Sequence, residues 1–196
     1  MGDDQRISRG MERQLGRRAE RLRAGERSVG WKLGFGTSQA MEKLGISQPL
    51  VGFLTDAGRV EPGATVSLDG IENPKLEPEI ALHLGSDLES GEDPAVVRAA
   101  VASVGPAFEL VDLDASAENV EEILAADIFH RRIVSGPGAD PDRLEGLRGE
   151  LVGPGGERTE VADPAELTGP PLALLAHVAD LLAAQGERLR AGELVI

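Results

Sequence analysis

Glu77 and Glu79 stand two residues apart in KLEPEIALHLG, a stretch with the alternation of a strand. On a strand that spacing sends both carboxylates to one side, with Cα atoms about 6–7 Å apart, so both reach a single small cation. Like charges on one face are costly without solvent or a positive neighbour, and Pro78 between them removes a ladder donor. The same residues therefore also read as a solvated strand face beside an edge or interruption, with Lys75 supplying part of the compensation. Glu109 shifts that balance: it is a third carboxylate, framed by Phe108 and Leu110 in PAFELVD, a second apolar strand. Three carboxylates with no Cys or His beside them in sequence make a hard, oxygen-rich site suited to Mg²⁺ or Mn²⁺, with further positions open to water or substrate. A small 2-oxo acid can chelate such an ion through its carboxylate and oxo oxygens. The ion then stabilises the enolate formed when a neighbouring carbon loses a proton.

Lys32 lies between Trp31 and Leu33 in GWKLGFG. Apolar neighbours desolvate an ammonium and lower its pKa, which suits an acid, a base or an enolate partner; the ordinary alternative is a snorkelling lysine. Among the three histidines, His83 shares the glutamate face as a pocket-wall residue rather than a ligand, and His177 in PLALLAHVADLLAAQ is a core or interface residue. IFHRRIVSG carries His130, Arg131 and Arg132. His130 and Arg131 are the substrate-binding candidates, since a guanidinium grips a carboxylate bidentately; an exposed ion pair is the ordinary alternative for the arginines.

These side chains need elements to hold them. Met11, Leu15, Ala19 and Leu22 recur at helical spacing, and Gly25 ends that helix; residues 1–10 are polar and expected to be disordered. GWKLGFG reads as a short strand, followed by a helix capped at Thr37 or Ser38 and closed by Gly45. Irregular β structure is expected from Ile46 to Leu68. Asp93-Pro94 opens a helix whose stripe is Val97, Ala100, Val101 and Val104. Ser116 is the expected cap of a short acidic helix running to 126. ELVGPGGERTEV resembles a hairpin, and a helix follows Pro170. No repeat or linker divides residues 11–196, which are expected to form one domain.

Composition removes several functions. The formal charge of -14 repels phosphate backbones and anionic lipid, so neither nucleic acid nor membrane is an expected partner. No cysteine is present, which excludes disulfides and thiolate metal sites and suits a reducing cytoplasm. Neither GxGxxG in its strand-turn-helix setting nor GxxxxGK[ST] occurs. No apolar run is long enough to span a membrane.

Taken in order, GWKLGF, TSQAMEKLGISQPLVGFLTD, NPKLEPEIALHL, PAFELVD and TGPPLALLAHVADLLAAQGERLRAGELVI resemble the fumarylacetoacetate hydrolase superfamily, in its 2-keto-4-pentenoate hydratase and 4-oxalocrotonate decarboxylase branch. The resemblance covers roughly residues 12–196. It implies an α+β fold, a mixed and mainly antiparallel β roll with peripheral helices. It also implies Glu77, Glu79 and Glu109 as ligands of Mg²⁺ or Mn²⁺, Lys32 as an active-site lysine and Asp56 as a candidate for proton transfer; Asp56, before Ala57-Gly58, is equally a turn residue. The implied chemistry is that of a metal-dependent hydratase or decarboxylase for a small 2-oxo acid such as 2-hydroxypenta-2,4-dienoate, in aromatic-compound degradation. Two features depart from the branch. Asp127-Ile128-Phe129-His130 replaces an Asp-Asn-x-Ser-like pattern, and the strands that follow LVI in similar proteins are missing, so the C-terminus is expected to be shortened or completed by a partner strand. Homo-oligomerisation is expected from the resemblance and the apolar ending. A diketone hydrolase is disfavoured because no Glu-His pair is evident. The rival of another class is a non-catalytic member that binds a cation or assists assembly.

Overall fold

The computed structural model describes residues 4–114, 117–144, 147–161 and 164–196. Helix α1 (Gln5–Arg23) leads into β1 (Ser28–Gly34), α2 (Ser38–Leu44) and β2 (Leu50–Thr55). Then come β3 (Pro74–Leu84), α3 (Pro94–Ala100), β4 (Val101–Asp112), α4 (Val120–Ala125) and β5 (His130–Ser135). The hairpin β6 (Gly149–Val152) and β7 (Arg158–Val161), helices α5 (Pro164–Thr168) and α6 (Pro171–Ala184), and the short β8 (Leu194–Val195) complete the order. Six strands form one sheet in the order β2-β1-β8-β3-β4-β5. All its pairings are antiparallel except that of β8 with β1, so the sheet is mixed and mainly antiparallel, with helices around it. That is the expected α+β roll.

Local chemistry sets the element ends. Asp4 caps α1 by accepting from the Arg6 N–H, so the helix takes in residues 5–10, which the sequence had left outside the fold. Its buried face is also more polar than the apolar spacing implies. Gln14 donates to the Leu124 carbonyl at 3.0 Å, and the Arg18 guanidinium lies 4.7 Å from the Trp31 ring centre. Thr37 caps α2 and Gly45 closes it in the left-handed region. The expected cap Ser116 lies outside the described residues; Asn119 caps α4 through the Glu121 and Glu122 N–H groups.

One helix expectation is corrected. Val101 and Val104 sit in β4, paired with Leu84 and Leu82, and α3 stops at Ala100. Their spacing fits a helical stripe, but β-branched residues with a long apolar partner strand gain more from the ladder.

β3 and β4 pair along their whole lengths, with Glu77 opposite Glu109. On its other side β3 meets β8 only at Leu82 and His83, so Pro78 costs no hydrogen bond to a strand there. β8 also lies against Gly30 of β1, where a Cβ would come within 1.9 Å of the Leu194 carbonyl oxygen. The aliphatic core contains Leu50, Phe53, Leu82, Ile123, Leu175 and Leu182, and Trp31 is fully buried within it. A cleft of about 680 Å³ opens beside β3, lined by residues of β1, β4, β8 and α6 as well. No helix among the described residues is long and apolar enough to cross a membrane.

Candidate metal centre

The alternation of β3 and its register with β4 bring three carboxylates together. One oxygen from each of Glu77, Glu79 and Glu109 lies within 4.8 Å of the others. Glu109 is buried at 1% exposure; Glu77 and Glu79 are half-buried and line the cleft. Burial raises Glu79 to about 7, helped by repulsion from Glu109 and Glu77. Burial also raises Glu77, with the Lys32 charge pulling the other way.

Lys32 supplies the nearest positive charge. Its Nζ donates to both Glu109 oxygens at 2.6 and 2.7 Å and to the Ile128 carbonyl at 3.2 Å, which uses all three ammonium protons. Its stem passes Gly52 of β2, the residue opposite it in the β1–β2 pair. A Cβ at Gly52 would come within 3.0 Å of Lys32 Cγ and 2.9 Å of Asp127 Oδ1, so the close approach requires glycine.

His130 Nδ1 lies 2.6 Å from Glu109 Oε1 and donates to it as the carboxylate's second cationic or polar neighbour. Burial lowers the His130 pKa, opposed by this hydrogen bond. A buried Glu-His pair is therefore present, contrary to the sequence expectation. His130 is not among the described residues that line the cleft, and its Nε2 abuts Gly58.

A residue to which sequence reasoning gave no role completes the surroundings. Asp127 is 4% exposed and accepts from the Phe53 N–H at 2.8 Å; burial, opposed by that bond, raises it to about 7. Asp127, Ile128 and Phe129 have φ of 55, 48 and 63°, a run of left-handed residues without glycine. Such conformations persist only where the surroundings hold them. Here Asp127 grips β2, the Ile128 carbonyl receives Lys32, and Phe129 meets Phe35 edge-on at 6.5 Å. The only sequence signal was an acid inside the apolar run AADIF.

Two expected site residues are not gathered here. Asp56 accepts from the Arg27 N–H and Nε, both at 2.8 Å, and these bonds hold its pKa down. Arg131 donates to Asp112 at 3.0 Å and to the His130 carbonyl. Neither lines the cleft, whereas Arg148 does. His83 is half-buried with its pKa lowered by burial, and His177 Nε2 lies 2.9 Å from the Pro49 carbonyl oxygen.

The fold is shared with solved structures of the fumarylacetoacetate hydrolase family. No protein-family model matches the sequence. A curated 4-oxalocrotonate decarboxylase of Pseudomonas sp is 32% identical over 180 residues, covering 91% of this chain and 70% of the relative. A 2-keto-4-pentenoate hydratase of Paraburkholderia xenovorans is 32% identical over 185 residues, covering 90% and 67%. Among solved structures, 4-oxalocrotonate decarboxylase from Pseudomonas putida G7, complexed with magnesium and adipate, superposes with a TM-score of 0.84 at 25% identity, covering 97% of this chain and 74% of that one. The chain belongs to the 4-oxalocrotonate decarboxylase and 2-keto-4-pentenoate hydratase family, a lyase family of aromatic-compound degradation.

Proposed function

We propose that this chain is a divalent-cation-dependent lyase that hydrates or decarboxylates a small 2-oxo acid, with Glu77, Glu79 and Glu109 holding Mg²⁺ or Mn²⁺. The observation that carries this reading is the convergence of three carboxylates within 4.8 Å at a cleft, beside one buried ammonium. Oxygen-only donors fit a hard cation, and Lys32 leaves two of the three carboxylate charges for a dication to neutralise once all are ionised. When bound, the cation polarises the substrate's oxo and carboxylate oxygens and stabilises the developing enolate.

The chain's own residues supply the rest. Lys32 is the residue to carry the proton to or from the substrate carbon once its ammonium leaves Glu109, and His130 holds the Glu109 carboxylate in place. Apolar walls such as Leu33, Phe35 and Leu174 exclude water. Arg148 on the cleft wall binds an anionic group at the far end of the substrate. Asp56 and Arg131, each committed to an ion pair, tie the start of β1 to the end of β2 and β5 to the end of β4 instead of touching substrate.

Residues 11–196 act as one unit, since the sheet draws β1 and β8 from opposite ends of the sequence into contact. Absence of cysteine supports a cytoplasmic setting. Leu194, Val195 and Ile196, expected as an unpaired apolar ending, are instead buried with β8 paired to β1 and β3, so homo-oligomerisation rests on the family resemblance alone. The Glu109–His130 contact favours hydrolysis of a carbon-carbon bond in a diketone as a second reading. It ranks below the lyase because His130 is not among the described residues lining the cleft and its Nε2 lies against Gly58.

The test is an ultraviolet assay on 2-hydroxypenta-2,4-dienoate and 4-oxalocrotonate with Mg²⁺ or Mn²⁺, beside thermal-shift titrations with the same ions. Cation-dependent turnover of either compound is expected. A cation-induced shift without turnover would indicate a binding-only member, and the absence of any shift would remove the metal centre.

A further inference from the structure

Lys32, as it stands, cannot reach a substrate. It is 1% exposed, it is not among the described residues lining the cleft, and its three ammonium protons are committed to Glu109 and the Ile128 carbonyl. The contact also occupies both oxygens of Glu109, and Oε1 receives His130 as well. A dication ligated by the same carboxylate must take a lone pair from this arrangement and sets a like charge beside the ammonium.

We propose that Lys32 is an internal competitor for the divalent cation at Glu109, so that loading the cation breaks the two-pronged Lys32–Glu109 contact and releases the ammonium toward the cleft. This rests on the metal-centre reading above and adds to it an order of events: cation first, then a lysine able to meet substrate. The geometry around Lys32 allows it. Its four-carbon stem is long and flexible, and Gly34, two residues along β1 and therefore on the same strand face, lines the cleft. Glu77 and Glu79 are not hydrogen-bonded to Lys32, which leaves them to receive the ion while Lys32 still holds Glu109. His130 then acts as a positioning residue, keeping one hydrogen bond on Glu109 as the lysine departs.

Two readouts on the intact chain, stripped with chelator and then titrated with Mg²⁺, test the idea without an activity assay. The first is the dissociation constant of Mg²⁺ by calorimetry for the unmodified chain and for Lys32→Met. Removal of a competing ammonium is expected to tighten binding by about tenfold; equal or weaker binding by the variant overturns the proposal. The second is acylation of lysines by an activated ester, read by mass spectrometry, with Lys43 and Lys75 as exposed internal references. Saturating Mg²⁺ is expected to raise labelling of Lys32 several-fold relative to those two, and Glu79→Ala is expected to abolish that rise. Unchanged or reduced labelling of Lys32 overturns the proposal even if Lys32→Met fails to fold. If neither Mg²⁺ nor Mn²⁺ binds the unmodified chain at all, the metal-centre reading itself falls, an outcome distinct from tight binding with an unmoved Lys32.

Discussion

Glu77 and Glu109 face one another across the β3–β4 ladder, and Glu109 alone of the two is anchored to Lys32 Nζ, at 2.6 and 2.7 Å. A directly opposed pair of like charges weakens a sheet. The pairing with Lys32 is what permits the buried carboxylate, and it divides the three acids into one with a structural partner and two whose charges mainly repel.

That division predicts opposite stability effects. Glu109→Ala strands the buried ammonium of Lys32 and is expected to lower unfolding stability by about 3–5 kcal/mol. Glu79→Ala removes a charge that burial and its neighbours disfavour, and its stability without cation is expected to equal or exceed that of the unmodified chain. Both variants should lose the Mg²⁺-induced rise in melting temperature. Urea titrations measure the stability difference and thermal unfolding with and without Mg²⁺ measures the cation response; a surviving Mg²⁺ response in Glu79→Ala would take that residue out of the ligand set.

Much of this pairing was legible before the fold was known, because a strand's period of two places Glu77 and Glu79 on one side whatever the tertiary structure. The partner strand was legible too, from the apolar frame of Glu109. Its register was not, since nothing local in either segment fixes which β4 residue opposes Glu77. The Lys32–Glu109 contact joins residues 77 positions apart, so apolar neighbours could mark Lys32 as desolvated but could not name its counter-charge. Val101 and Val104 misled because their spacing satisfies a helix while their branching satisfies a strand. Asp127 went unassigned because a left-handed run of Asp, Ile and Phe carries none of the glycine or asparagine that usually marks such a turn. Asp56 and Arg131 were plausible by residue type, and local partners, Arg27 and Asp112, absorb them.

Cation affinity should depend on pH through Glu79. Its proton must leave before the carboxylate can serve as a ligand, and its pKa is raised to about 7. Protons therefore compete below that value: affinity for Mg²⁺ is expected to climb by up to about tenfold per pH unit on approach to 7 and to level off above it. Calorimetric titrations across about pH 5.5–8.5 check this. A flat profile would mean that Glu79 is already ionised at the acid end.

Asp127 gives a stability effect of the opposite sense to that of an ordinary surface carboxylate. Burial lifts its pKa to about 7, against 3.8 for an aspartate in water, so folding favours the protonated form. Its contribution is fully present below the lower value and is lost as pH rises through the window to about 7. Asp127→Asn retains an oxygen to accept from the Phe53 N–H and cannot ionise. The variant is expected to be more stable than the unmodified chain at about pH 8, by up to about 4 kcal/mol, with the gap closing toward about pH 4. Denaturant unfolding at both ends of that range measures the difference.

With Arg148 proposed to bind the far anionic group, substrates with and without a second carboxylate should respond differently to its loss. It is the basic side chain among the described residues lining the cleft, opposite in charge to Glu77 and Glu79, which also line it. An exposed guanidinium gripping a carboxylate contributes to binding of ground state and transition state alike, so its loss should appear in KM more than in kcat. Arg148→Met is expected to raise KM for 4-oxalocrotonate by about tenfold, and to leave KM for 2-hydroxypenta-2,4-dienoate within about twofold. Steady-state kinetics on the two compounds decide the point. Equal changes for both would move the anion-binding role to another residue, and an unaltered KM for the dicarboxylate would leave Arg148 as a solvent-facing part of the wall.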